Sequence, residues 1–312
     1  MKKLSLIIFL SLIVIISHAQ KSTAFGSFNI SVVMPEESDE LDAGQLAKLE
    51  TKIMRIVEAS GVSASGEYSN FVIYPKFDVY QSDIVEGGMQ NITVTGTQLS
   101  LFIKQVDNNL VFSSITKNLK GSGNTKANSL TNAISTLDVN DPLLRKFVET
   151  GKSKIVAYYN AKCGSILASA ENMAKKRDFE QALILAFAIP EGTSCYTTAQ
   201  TKAIAYYKSY QNIKCLEEIK HTNLSLAEND YADAVNHLMA IEPGSACAKE
   251  AATLMKKIES KVNAEEKRDY DRRLKEYNDE NALEKYRISA IRDIASAYYK
   301  STPSVQYRVI VR

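Results

Sequence analysis

The chain has 312 residues and a formal charge of +2, with 45% hydrophobic and 24% charged side chains. That composition folds, is long enough for two ordinary domains, and excludes intrinsic disorder. Lys2 and Lys3 supply the whole charge excess, so without the first 19 residues bulk electrostatics give no reason to bind nucleic acid or an anionic membrane.

Residues 1–19, MKKLSLIIFLSLIVIISHA, have the three parts of a secretory signal peptide: Lys2 and Lys3, the apolar stretch Leu4 to Ile16, and the small-x-small site Ser17-His18-Ala19. As a helix the apolar run would reach about 20 Å, short of the roughly 30 Å hydrocarbon core. No cysteine follows it, so no bacterial lipoprotein attachment site is expected, and no later segment is apolar enough to span a bilayer. The expectation is a periplasmic or extracellular protein of the bacterial cell envelope, beginning near Gln20.

Residues 27–150 mix strands with helices. Phe28 to Met34 alternates as a strand does, and Leu46, Leu49, Ile53, Ile56 and Val57 mark one face of a helix over 42–59. Asn70 to Tyr80 has period two, interrupted by Pro75, which suggests an edge strand or a bulge. Ile92 to Val94 with Leu99 to Ile103 forms the next strand. Asp107-Asn108-Asn109 then turns into Leu110 to Ile115. A helix follows Gly121-Ser122-Gly123, with Leu130, Ala133, Ile134 and Leu137 inward. The order β-α-β-β-β-α predicts a small mixed sheet with helices on one face, within an α+β fold.

The stretch LSLFIKQVDNNLVFSSITKNLKGSGNTKANSLTNAI resembles the α/β domain of the curli-secretion and TolB amino-terminal superfamily. Its strands at Leu99 to Lys104 and Val111 to Ile115, then Gly121, Gly123, Ala127 and Ala133, carry the likeness, which extends over about 120 residues. The resemblance implies a role in envelope assembly. It implies no pore, because pore-forming members are lipoproteins with membrane hairpins and this chain shows neither. Lys120 to Lys126 could in principle hold phosphate on free N–H groups. Neither the phosphate-loop nor the dinucleotide pattern is present, so a plain turn is expected, with Asn124 or Thr125 as helix cap.

Residues 151–262 contain an internal repeat. Cys163, Cys195, Cys215 and Cys247 are spaced by 32, 20 and 32, so the second pair repeats the first at an offset of 52. The same offset aligns Lys162 with Lys214, Asp178-Phe179 with Asp230-Tyr231, Ile189 with Ile241, Gly192 with Gly244 and Ala199 with Ala251. Each copy predicts a helical hairpin: in the first, a helix over 154–176, a turn at Arg177-Asp178, and a return helix to Ala188. Pro190-Glu191-Gly192 and Glu242-Pro243-Gly244 end the returns. Asp-aromatic-x-x-Ala followed by a Pro/Gly break resembles the tetratricopeptide repeat, although 52 exceeds that family's 34 and the first helix must be longer. In an oxidising compartment the four cysteines should pair. Of three connectivities the duplication favours Cys163–Cys195 and Cys215–Cys247. No Cys-x-x-Cys exists, and no metal or redox site is expected.

Residues 263–312 hold dense charge of both signs with a narrow stripe at Tyr270, Leu274, Tyr277, Leu283, Tyr286, Ile291, Ile294 and Tyr298. This predicts a charged carboxy-terminal helix capping the array, with a homodimer seam as the sharper alternative. Val305 to Val311 alternates as a last strand would, either adding to the amino-terminal sheet edge or pairing with a partner.

For function the inventory of enzyme motifs is thin. There is no Gly-x-Ser-x-Gly or His-Glu-x-x-His, and His221 and His237 stand where the other copy has Ser169 and Leu185. No catalytic residue, cofactor or metal is expected. The sequence therefore points to a non-enzymatic interaction or assembly factor that binds an envelope protein or peptide. Tyr196, Tyr206, Tyr207 and Tyr210 are the candidate contact residues, since tyrosine offers a rigid ring and a hydroxyl. The alternative is a carboxylate-dependent hydrolase of envelope or extracellular polymers.

Overall fold

A computed structural model describes residues 28–35, 38–65, 69–86, 90–261 and 283–301. The leader, the charged run 263–282 and the strand expected at Val305 to Val311 lie outside the described residues.

The chain builds a mixed five-stranded sheet and, among the described residues, eight helices, an α+β fold. Strands β1 (Asn29–Val32), β2 (Ser63–Ser65), β3 (Phe71–Val85), β4 (Ile92–Gln105) and β5 (Val111–Gly123) stand in the order β2-β1-β3-β4-β5. β1 is parallel to both neighbours, and β3-β4-β5 is an antiparallel meander. Helix α1 (Ala43–Ala59) connects β1 to β2. It starts from a reciprocal cap, in which Gln45 N–H donates to Asp42 Oδ1 at 2.8 Å and Asp42 N–H to Gln45 Oε1 at 3.0 Å. Gln45 Nε2 also donates to the Ala127 carbonyl at 2.8 Å, tying α1 to α2 (Lys126–Ser135). Both helices lie on the sheet face that carries Ile30, Ile73, Leu101 and Ile103, all buried.

Two features of the sheet differ from the sequence expectation. β2 is a three-residue strand with no apolar alternation of its own, so only its pairing with β1 defines it. β3 runs past Tyr80 to Val85, carried by its pairing with β4 through a bulge between Val79 and Gln81. Pro75 is tolerated because β1 pairs with β3 only at Val72 and Ile73, so one edge at Pro75 has no neighbouring strand among the described residues.

Gly121 and Gly123 do not form the expected turn. They are the last residues of β5, where a Cβ on Gly121 would stand 1.9 Å from the Ser129 carbonyl oxygen and one on Gly123 2.8 Å from Ser129 N. Their missing side chains let α2 pack directly on the strand end. Thr125 is the helix cap, accepting from Asn128 N–H at 3.1 Å.

Helix α3 (Pro142–Lys175) begins at Asp141, which accepts from Leu143 N–H at 2.8 Å and pairs with Lys117 of β5 at 2.6 Å. It runs unbroken through the boundary drawn at 150/151. Its first half belongs to the sheet's core through Leu144, Phe147, Val148 and Gly151, and a Cβ on Gly151 would meet Ile103 Cδ1 at 2.4 Å. Then come α4 (Phe179–Phe187), α5 (Tyr196–Ala227), α6 (Tyr231–Met239), α7 (Ala248–Glu259) and α8 (Leu283–Ser301). The Pro142 start lengthens the first hairpin helix by three turns over the expectation. Ile294, Ala295 and Tyr298 of α8 join Val72 and Val106 on the sheet face opposite α1.

Candidate functional site

The hairpin array is built by repetition. At the tops of the long helices the chain leaves through left-handed residues, Arg177 (φ 67°) and Asn229 (φ 60°), which are 52 apart. Asp178 and Asp230 then cap the return helices, accepting from Gln181 and Asp233 N–H at 3.2 and 2.9 Å. At the other end Cys163 is bridged to Cys195 and Cys215 to Cys247, with Cα atoms 6.3 and 5.9 Å apart, one bridge in each copy. Cys195 and Cys247 stand at the helix starts of α5 and α7, so α7 opens a third, partial copy. Of the paired glycines only Gly192 takes the positive φ of a left-handed exit, at 91°.

The four candidate tyrosines divide. Tyr206 and Tyr207 are a correction to the expectation, because both are buried, Tyr207 completely, with Ala170, Ala182 and Ala203 between successive hairpins. Small residues across from them leave ring-sized space, and a partner cannot reach them. Tyr196 and Tyr210 remain half-buried. Burial, then the nearby Glu191, pushes the Tyr196 phenol up to about 12. Burial, then Glu180, raises that of Tyr210, while the Lys214 ammonium 5.8 Å from its ring works the other way. Tyr158, the equivalent of Tyr210 in the first copy, packs edge-on against Phe112 of β5 with ring centres 5.7 Å apart.

The exposed apolar residues of the array are ones that the tyrosine-centred reading passed over. Leu216 and Leu224 of α5 are 64% and 53% exposed, and Ile213 is half-buried. At 100° per residue, Tyr210, Ile213, Leu216 and Leu224 fall within an arc of about 120°. The first copy has Gly164 and Asn172 where the second has these leucines. That contrast was readable from the offset of 52.

His221 and His237 also come together, across the α5/α6 hairpin, with rings stacked 5.1 Å apart. His237 Nδ1 lies 2.7 Å from Glu218 Oε2, and its Nε2 3.4 Å from Asp233 Oδ2. Ser225 Oγ donates to the same Asp233 oxygen at 2.6 Å. The two carboxylates converge on one imidazole. Among the described residues no group of three or more histidine, cysteine or acidic side chains is placed to hold a metal ion. The histidines are sixteen positions apart in the sequence, and only the hairpin geometry joins them.

No protein-family model matches the chain, and no curated protein matches it significantly. Among solved structures, a minor lipoprotein from Acinetobacter baumannii is 13% identical, covering 39% of this chain and 90% of its own, with a TM-score of 0.28. A PelC dodecamer from Paraburkholderia phytofirmans is 16% identical over 40% and 88%, at 0.26. A hypothetical protein from Chlamydia trachomatis is 9% identical over 41% and 96%, at 0.23. Scores this low carry no conclusion about the chain.

Proposed function

We propose that this protein is an exported, non-enzymatic interaction factor of the bacterial cell envelope, which binds a protein or peptide partner along α5. The observation that carries this reading is the apolar stripe of Ile213, Leu216 and Leu224 beside Tyr210. Leucine side chains left a little more than half in water would gain roughly 1–2 kcal/mol each from being covered, so a partner there is favourable. The stripe sits on a rigid support, because both ends of the second copy are fixed by Cys215–Cys247 and by the Asp230 cap. Two disulfides suit an exported chain, as the leader and the likeness to the curli-secretion and TolB amino-terminal superfamily also suggest.

The test combines location with contact. Mass spectrometry of the native protein should find Gln20 at the amino terminus in the periplasmic or extracellular fraction. A photo-crosslinking residue at Leu216 should then capture one defined partner in intact cells, and one at Ser165 in the first copy should not. Leu216→Glu with Leu224→Glu should abolish that capture while leaving the melting temperature within about 2 °C, since exposed substitutions rarely cost more than 0.5 kcal/mol. Equal capture from Leu216 and Ser165 overturns the reading.

A further inference from the structure

Helix α8 lies in a groove with two walls. On one side Ile291 packs into the core of the first hairpin with Ala182, Leu183 and Ala186 of α4. On the other, Ile294, Ala295 and Tyr298 pack with Val72 of β3 and with Val106, where Ile184 and Phe187 of α4 join them. These four α8 residues are spaced i, i+3, i+4 and i+7, the pattern by which a helical peptide fills an apolar groove. Arg292, Asp293 and Ala297 stay exposed. Both walls are braced by contacts that α8 does not make. α4 is capped by Asp178, and its hairpin is clipped by Cys163–Cys195. Val72 pairs with Ser31 on one side and Lys104 on the other, and Val106 N–H donates to the Asn70 carbonyl at 2.9 Å.

α8 itself is held thinly. Between Ser289 and Tyr298 it buries only Ile291 and Ala295, whereas α4 buries Ala182, Leu183, Ile184 and Ala186 within nine residues. The cost of opening an element falls with the apolar surface it buries. Val262 to Ala282, 21 residues, connect α8 to the array, and that length reaches at most about 70 Å when extended. A helix tethered in this way can leave its groove without leaving the molecule, and it competes for its own site at a millimolar effective concentration. We propose that the groove is a helix-binding site, which α8 fills in cis as a displaceable plug. The partner it fits is an amphipathic helix with large apolar residues at the positions of Ile291, Ile294 and Tyr298. A small residue is needed at the position of Ala295, which is buried with Val72, Val106 and Ile184. The site uses none of the α5 stripe, so the two surfaces stand or fall separately.

Two measurements on the full chain test this. In amide hydrogen exchange, Ile294 and Ala295 of α8 should exchange at least about a hundredfold faster than Leu183 and Ile184 of α4, because α8 opens without the rest. Equal protection of the two helices overturns the proposal, since α8 is then a fixed part of the core. The second measurement is fluorescence anisotropy of a labelled peptide with the sequence of residues 283–301. Ile291→Glu with Ile294→Glu should undock α8, and the peptide should bind that variant at least about tenfold more tightly than the unaltered chain, where α8 competes. The same peptide carrying both glutamates should not bind. Protection at Leu101, Ile103, Leu183 and Ile184 should persist in the variant. Its loss, or a protected variant that fails to bind the peptide, overturns the proposal. A dimer of the unaltered chain that the double substitution dissolves also overturns it, because a second copy is then the occupant.

Discussion

Asn160 and Asn212 occupy the same place in successive copies and make the same bond. The side-chain oxygen of Asn160 accepts from Ser194 N–H at 2.7 Å, and that of Asn212 from Ala246 N–H at 2.9 Å. Each ties a long helix to the loop that precedes the next one, beside the disulfide of its copy. Asn160→Ala and Asn212→Ala should each cost about 1 kcal/mol in urea unfolding, and the double variant about the sum, because the sites share no contacts.

The two kinds of glycine should respond with opposite sign. Gly121→Ala drives a methyl group into the Ser129 carbonyl and should destabilise by about 1–3 kcal/mol or more, measured by denaturant unfolding. Gly164→Ala meets nothing within 4 Å on an exposed helix and should stabilise by roughly 0.5–1 kcal/mol. A neutral Gly121→Ala would mean that β5 and α2 stand further apart than described.

Tyr159 fastens the sheet to the array. Its hydroxyl accepts from Asn70 Nδ2 at 2.8 Å and Gln105 Nε2 at 3.1 Å, while its ring stands edge-on to Phe71. Tyr159→Phe leaves two buried amides without that acceptor and should cost about 1–3 kcal/mol.

The same residue gives an alkaline signature. Burial, then Asp107, holds the Tyr159 phenol above its ordinary value. A pKa raised on folding stabilises fully below the unfolded value near 10 and is lost as pH rises above it. Stability should therefore fall above about pH 10, less steeply in Tyr159→Phe, and absorbance at 295 nm should show one fewer late-ionising tyrosine in that variant.

Each disulfide closes a 32-residue interval and should contribute about 3–4 kcal/mol. Non-reducing peptide mapping should return Cys163 with Cys195 and Cys215 with Cys247. Cys215→Ser with Cys247→Ser should unfold the second hairpin at lower denaturant than the sheet, since its core of Ala234, Val235 and Leu238 is separate from that of the sheet.

The architecture was legible where the sequence repeats or alternates. The offset of 52 placed the hairpins, and period two placed β1, β4 and β5. Legibility failed where pairing alone makes structure: Ser63 to Ser65, and Gln81 to Val85, are too polar or too short to announce a strand. Gly121 and Gly123 misled because a glycine pair before a cap looks the same whether it turns or admits a helix. Tyr206 and Tyr207 misled because aromatic residues on a long helix with neighbours on several sides have no single outward face. The histidine pair had no local signal at all.

Helix α3 gives the molecule a mechanical axis. Its 34 residues extend about 51 Å without a break, with Leu144 and Val148 set in the sheet and Cys163 and Ala170 in the array. A helix of that kind transmits load as a rod does and resists the bending that a loop linker would allow. Load applied to the first hairpin therefore reaches β4 through Gly151, which packs against Ile103, instead of being absorbed by a flexible joint.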